Sequence, residues 1–144
     1  MAEQEGQAPS NWLKPTPTIT GETKPFWEAA ARGELLIQKC AHCNQYQWYP
    51  RGFCSICWSS RIEWIKASGK GKVWTFTITR QNRAPGFKDE LPYVLALVEL
   101  EEGVKMFTNI INCDPESVEI GMAVKVAWIS PSPDLHIAYF EPAS

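Results

Sequence analysis

Four of the five cysteines fall into two pairs, Cys40-x2-Cys43 and Cys54-x2-Cys57, separated by ten residues. Two residues between cysteines let a tight turn aim both sulfurs at one point, and two such knuckles supply four thiolates at the corners of a tetrahedron. That geometry suits Zn²⁺, with Zn–S near ~2.3 Å. The ten-residue spacer is short for paired knuckles but sufficient for one strand out and a turn back. A four-sulfur site has no open position for water or substrate, so its expected role is structural rather than Lewis-acidic. A redox dithiol pair or iron is the other chemistry such a set admits. His42 lies inside the first knuckle and, with four cysteines present, is expected to face solvent. Cys113 stands apart and is expected to act as a small buried hydrophobe.

Little else is equipped for catalysis. The only histidines are His42 and His136, and no nucleophile elbow, P-loop or dinucleotide fingerprint occurs. Gly69-Lys-Gly71 is too short to cradle a phosphate. Asp89-Glu90 and Glu101-Glu102 lie in turn-like stretches, where solvated charge is the default. The sequence predicts no active site complete within this chain.

The elements that must position the cysteines are short. With 144 residues, 44% hydrophobic and 21% charged, the chain is long and apolar enough for a self-standing core. Residues 1–18 are polar and proline-rich, and read as an arm that is disordered alone or extended along a partner, with Trp12 and Leu13 its only large apolar groups. Thr23 and Pro25 predict a helix over about 24–32, with Phe26, Trp27, Ala30 and Ala31 on its buried face and Gly33 as its stop. Three short strands are expected near 34–39, 45–49 and 61–65, around the knuckles. Ser68-Gly-Lys-Gly71 reads as a hinge.

From Lys72 onward the pattern is all β. Trp74, Phe76 and Ile78 alternate with Thr75, Thr77 and Thr79, predicting a strand with the large residues inward. Residues 93–100 are almost continuously apolar, predicting a strand covered on both faces. Glu101-Glu-Gly103 turns into a strand over 104–111, a turn or short helix starts at Asp114-Pro115, and two more strands follow near 123–129 and 135–140. Five strands with an excursion between the third and fourth match an OB-type barrel. The fold expectation is therefore mainly β, with an arm (1–18), an N-terminal helical segment (19–34), a zinc ribbon (35–66) and an OB-fold barrel (67–144).

The formal charge of −2 hides an asymmetry. Lys66, Lys70, Lys72, Arg80, Arg83 and Lys88 fall in one acid-free stretch, while the remainder carries eight basic residues against sixteen acids. One stretch is thus suited to phosphate while the whole repels it. A single-stranded nucleic-acid binder is the alternative reading, with Trp74, Phe76 and Phe107 as stacking residues, although their period-two placement makes them core first. No apolar run is long enough to span a membrane, and the first residues lack the basic and apolar regions of a signal peptide. A cytoplasmic protein with reduced thiols is expected.

The run Ile19-Thr-Gly-Glu-Thr-Lys-Pro-Phe-Trp27 leads through Gly33-Glu-Leu-Leu-Ile-Gln38 into the knuckles. After them come Ser68-Gly-Lys-Gly71, Pro85-Gly86-Phe87, Leu91-Pro92-Tyr93, Val98-Glu-Leu100 and Glu102-Gly103. This ordered series, from about residue 17 to 130, resembles the zinc-ribbon plus OB-fold family of acyl-CoA-associated proteins. The resemblance implies a rubredoxin-like ribbon and a non-catalytic accessory subunit that binds a thiolase, an acyltransferase or an aldolase of steroid side-chain breakdown. In such a hetero-oligomer the chemistry sits mainly on the larger partner, and the small subunit helps to hold or pass the CoA thioester. Arg80, Arg83, Pro85, Gly86, Phe87 and Tyr93 are the candidate loop facing ligand and partner, where the basic residues would meet the phosphates of CoA.

Overall fold

The computed structural model describes residues 12–143; the rest of the expected arm, residues 1–11, lies outside them, as does residue 144. The helix α1 (Lys24–Ala30) is shorter than expected. Thr23 does not cap it, because its hydroxyl is engaged with Thr20 one turn upstream. The buried face is Phe26, Ala29 and Ala30, while Ala31 is exposed and Trp27 is half-buried. Gly33 follows at φ +78°, a left-handed position that glycine takes without strain.

Strands β1 (Leu36–Cys40), β2 (Tyr46–Gln47) and β3 (Ile62–Lys66) form a small antiparallel sheet in the order β2-β1-β3. Five longer strands follow: β4 (Lys70–Thr79), β5 (Tyr93–Leu100), β6 (Lys105–Ile110), β7 (Ala123–Ser132) and β8 (Leu135–Pro142). They close into a barrel in the order β4-β5-β6-β8-β7, with a 3-10 turn at Pro115–Ser117 between the third and fourth. This is the expected OB layout. The hinge expected at 68–71 is narrower: Gly69 makes the turn at φ +80°, and Lys70 and Gly71 already pair in the barrel.

Two expectations about the strands are corrected. The ladder between β4 and β5 slips between Val73 and Thr75, a β-bulge that places Trp74 and Thr75 consecutively outward. Val73 is therefore buried and Trp74 is 49% exposed, whereas Phe76 and Ile78 point to the core as expected. Strand β5 alternates: Val94, Ala96, Val98 and Leu100 are buried, while Leu95 and Leu97 face out and are only half-covered. Phe107 is likewise outward, at 67% exposure.

One hydrophobic cluster links the two sheets. It runs from Phe26, Leu35 and Ile37 through Ala67 into the barrel residues Val73, Val98, Leu100 and Phe140. Helix α1 packs against both β1 and β8, and Phe26 meets Trp27 and Trp48 with ring centroids 4.9 Å apart in each case. No helix among the described residues is long and apolar enough to cross a membrane.

Candidate functional site

The two knuckles repeat one backbone design. In the first, the Asn44 N–H donates to the Cys40 carbonyl (2.9 Å) and the Cys40 N–H to the Gln45 carbonyl (2.9 Å). In the second, Trp58 donates to Cys54 (3.0 Å) and Cys54 to Ser59 (2.8 Å). Each leading sulfur also accepts two backbone N–H groups: Cys40 Sγ from His42 and Cys43 at 3.3 and 3.4 Å, and Cys54 Sγ from Ile56 and Cys57 at the same distances. Each knuckle closes on a left-handed residue, Asn44 at φ +64° and Trp58 at φ +67°. Asparagine tolerates that region; for a bulky residue it is a strained choice.

The four sulfurs lie within 4.8 Å of one another, with Cys40–Cys57 and Cys43–Cys54 at 3.6 Å. A tetrahedral zinc with bonds of ~2.3 Å requires sulfur–sulfur edges of roughly 3.8 Å, so the cluster fits the ion. Cys40 and Cys54 are buried, Cys43 and Cys57 are half-buried, and His42 is exposed. The knuckle N–H groups tune the thiols. Cys40 is lowered to about 6, chiefly by the Cys43 N–H, and Cys54 is lowered by the N–H groups of Cys57 and Ile56. For Cys43 the Gln45 N–H pulls downward, but burial and the neighbouring sulfurs outweigh it and raise the thiol to about 12. Cys57 is raised as well, the Ser59 N–H being outweighed by burial and the adjoining sulfurs.

Behind the knuckles, a buried glutamine pair locks the ribbon. Gln47 Nε2 donates to Gln38 Oε1 (2.7 Å) and Gln47 Oε1 accepts from the Ser55 N–H (2.9 Å). Gln38 in turn bonds both backbone groups of Arg51 at 3.0 Å. Both side-chain amides of this pair are partnered, which fixes the loop carrying the second knuckle.

The chain matches two family profiles: "ChsH2, rubredoxin-like zinc ribbon domain" over residues 27–63 and "ChsH2, C-terminal OB-fold domain" over residues 64–128. The chain belongs to the ChsH2 family. A solved structure described as "Ltp2-ChsH2(DUF35) aldolase" superposes with a TM-score of 0.81 at 36% identity, covering 90% of this chain and all of that one. A DUF35 domain-containing scaffold protein of Methanothermobacter thermautotrophicus is 37% identical over 74% of this chain and 81% of its own length. A probable enoyl-CoA hydratase alpha subunit of Thermomonospora curvata is 37% identical over 98% of this chain, which spans only 43% of that relative. A benzoylsuccinyl-CoA thiolase subunit, BbsA of Geobacter metallireducens, is 30% identical over 54% of this chain and 55% of its own. Within this ChsH2 fold the four clustered cysteines are those of the zinc ribbon, consistent with a structural zinc.

The candidate ligand loop is less uniform than its sequence. Arg80 is engaged with Glu116 at 2.6 Å, and the Tyr93 hydroxyl accepts from Asn82 Nδ2 at 2.8 Å. Gly86 and Phe87 are half-buried, whereas Arg83 and Pro85 are exposed. Nor does the basic stretch form one patch. Lys70 and Lys72 line a groove of about 400 Å³ with Glu99 and Glu101 near the start of β4. Arg80, Arg83 and Lys88 follow its other end, beyond Thr79.

Sequence reading missed an apolar surface beside the second knuckle. Tyr49, Phe53, Ile56 and Trp58 are all exposed, Trp58 by 75%, and the Phe53 and Trp58 rings stack 5.2 Å apart at 10°. The signal available was three large apolar residues packed around Cys54 and Cys57 in a stretch with no strand of its own.

Proposed function

We propose that this chain is an accessory subunit of an acyl-CoA-processing enzyme of the thiolase, aldolase or hydratase kind, and that Cys40, Cys43, Cys54 and Cys57 hold a structural zinc. The observation that carries this reading is the likeness of both its modules, in order, to a chain described as part of an aldolase. Names of other relatives point the same way, as subunits of CoA-thioester enzymes or as scaffolds. The division into a ribbon over 35–66 and a barrel over 67–144 serves that role: the ribbon presents a rigid apolar surface and the barrel presents the loop.

The loop's part is narrower than its sequence suggests. Arg83, exposed and without an ion pair among the described residues, is the residue best placed to meet a CoA phosphate, with Pro85 beside it. Arg80 is already neutralised by Glu116. A hetero-oligomer working in the cytoplasm with a CoA thioester at the subunit boundary completes the proposal.

A second reading draws on Trp74 and Phe107, which are exposed on the outer barrel face, with Lys105 Nζ 4.8 Å from the Trp74 ring centre. Exposed aromatics beside a cation suit base stacking, but the acidic balance of the chain opposes a polyanion. Gentle affinity purification from the native cell with mass spectrometry separates the two readings. The accessory-subunit reading predicts a thiolase-, aldolase- or hydratase-type protein in near-equal amount. Recovery of the chain alone, or with nucleic acid that high salt removes, overturns it.

A further inference from the structure

The described part of the N-terminal arm lies against this chain's own barrel. Its grip is concentrated on one side chain. Lys14 is only 9% exposed, and its ammonium donates to Glu90 Oε1 at 2.8 Å and to the Tyr139 hydroxyl at 3.5 Å. Three aromatic rings surround it, with centroids at 4.7 Å (Trp12), 5.5 Å (Phe87) and 5.8 Å (Tyr139). A cation held against aromatic faces and a carboxylate is a strong, directional contact when water is excluded. Burial works against the charge, but Glu90 and Tyr139 outweigh it and hold the ammonium above its ordinary pKa.

The rest of the segment is weakly held. Leu13 is 59% exposed, and the Trp12 indole N–H is buried with no hydrogen-bond partner. Among the described residues, no backbone hydrogen bond ties residues 12–19 to the barrel. The contact is nevertheless shaped for the arm: a Cβ on Gly86 would come within 2.8 Å of the Lys14 backbone nitrogen, so glycine there admits the close approach. Trp12 and Lys14 also help to wall a cavity of about 470 Å³, together with Tyr93, Cys113, Ile129 and Tyr139. Among the described residues, 12–19 are held to the barrel by one buried cation and by packing at Gly86, beside an open cleft, which is the construction of a latch.

We propose that Trp12–Lys14 is a latch along one wall of this open cleft, with the Lys14 ammonium in its cage of Trp12, Phe87, Tyr139 and Glu90 as the catch. Access to the Phe87 ring face that Lys14 covers requires its release first. The proposal stands on the arm's geometry and does not depend on the accessory-subunit reading.

Cys113 provides the reporter. The intact chain is treated with a bulky dye-maleimide, and labelling is followed at each cysteine by peptide mass spectrometry. Lys14→Gln and Glu90→Gln are each expected to label Cys113 about three- to tenfold faster than the unaltered chain, the range set by loss of one desolvated cation contact. Lys24→Gln, which alters an exposed lysine paired only with Glu28, leaves the rate unchanged. Equal Cys113 rates in the unaltered chain and both latch variants overturn the proposal. A rise shared by all five cysteines also overturns it, because that reports general loosening rather than release of the arm.

Discussion

At the scale of single residues, the repeated knuckle makes the two cysteines of each pair unequal. The leading sulfurs, Cys40 and Cys54, accept two N–H groups each and are biased towards thiolate, while Cys43 and Cys57 are biased towards thiol. Metal binding requires all four as thiolates and expels the remaining protons. Since Cys40 already lies near 6, zinc binding at neutral pH should release fewer than the four protons expected of ordinary thiols near ~8.5. Titration calorimetry in buffers of different ionisation enthalpy counts them, and release of four contradicts the tuning. The sign with pH is fixed: zinc affinity falls as acidification protonates the leading thiolates. Cys54→Ala should reduce bound zinc from one ion per chain to almost none by elemental analysis, since three sulfurs leave the cluster open. Both pairs were legible in the sequence because a knuckle is a local structure. The exposed Trp58 was not, since nothing nearby signals a left-handed tryptophan.

At the scale of elements, strand β4 carries the most instructive difference. Its alternating Trp74, Phe76 and Ile78 predicted a single inward face, and two of the three comply. The bulge adds one residue to the ladder between Val73 and Thr75 and changes the phase on one side only, so the pattern is right beyond it and wrong before it. Alternation reports local phase and says nothing about an inserted residue. Gly71, in the same strand, is a stricter requirement: a Cβ there would lie 2.5 Å from the Glu99 carbonyl oxygen. Gly71→Ala should destabilise the chain by about 1–3 kcal/mol through overpacking, visible as a lower urea midpoint. Thr108 is buried and donates to the Ala138 carbonyl at 2.8 Å, tying β6 to β8. Thr108→Val keeps the shape and orphans that carbonyl, so a loss of about 1–3 kcal/mol is expected in the same assay. The candidate loop was located by motif, but its covering by Lys14 is a contact across 76 residues, beyond the reach of local pattern.

At the scale of the whole molecule, the ribbon and barrel share one core, with Phe26, Leu35 and Ile37 continuous with Val98 and Phe140. Removing zinc with a strong chelator should therefore lower a single thermal transition, followed by far-ultraviolet circular dichroism, rather than melt a ribbon away from an unaffected barrel. Two well-separated transitions would count against the shared core. The barrel itself is closed unevenly. Strands β4 and β5 pair along almost their whole length, but β4 pairs with β7 over Lys70–Lys72, with flanking backbone bonds at Gly69 and Val73, and β6 pairs with β8 at Ile110 and Phe140, beside the Thr108–Ala138 bond. Closure thus rests on two short seams. Opening either one frees few hydrogen bonds, so amide exchange at Ile111 and Val126, whose N–H groups donate across the seams to Phe140 and Gly69, should outpace exchange in the β4–β5 ladder. In mechanical terms the molecule is a split ring, stiff around most of its circumference and compliant at the joints, and it would breathe there without unfolding.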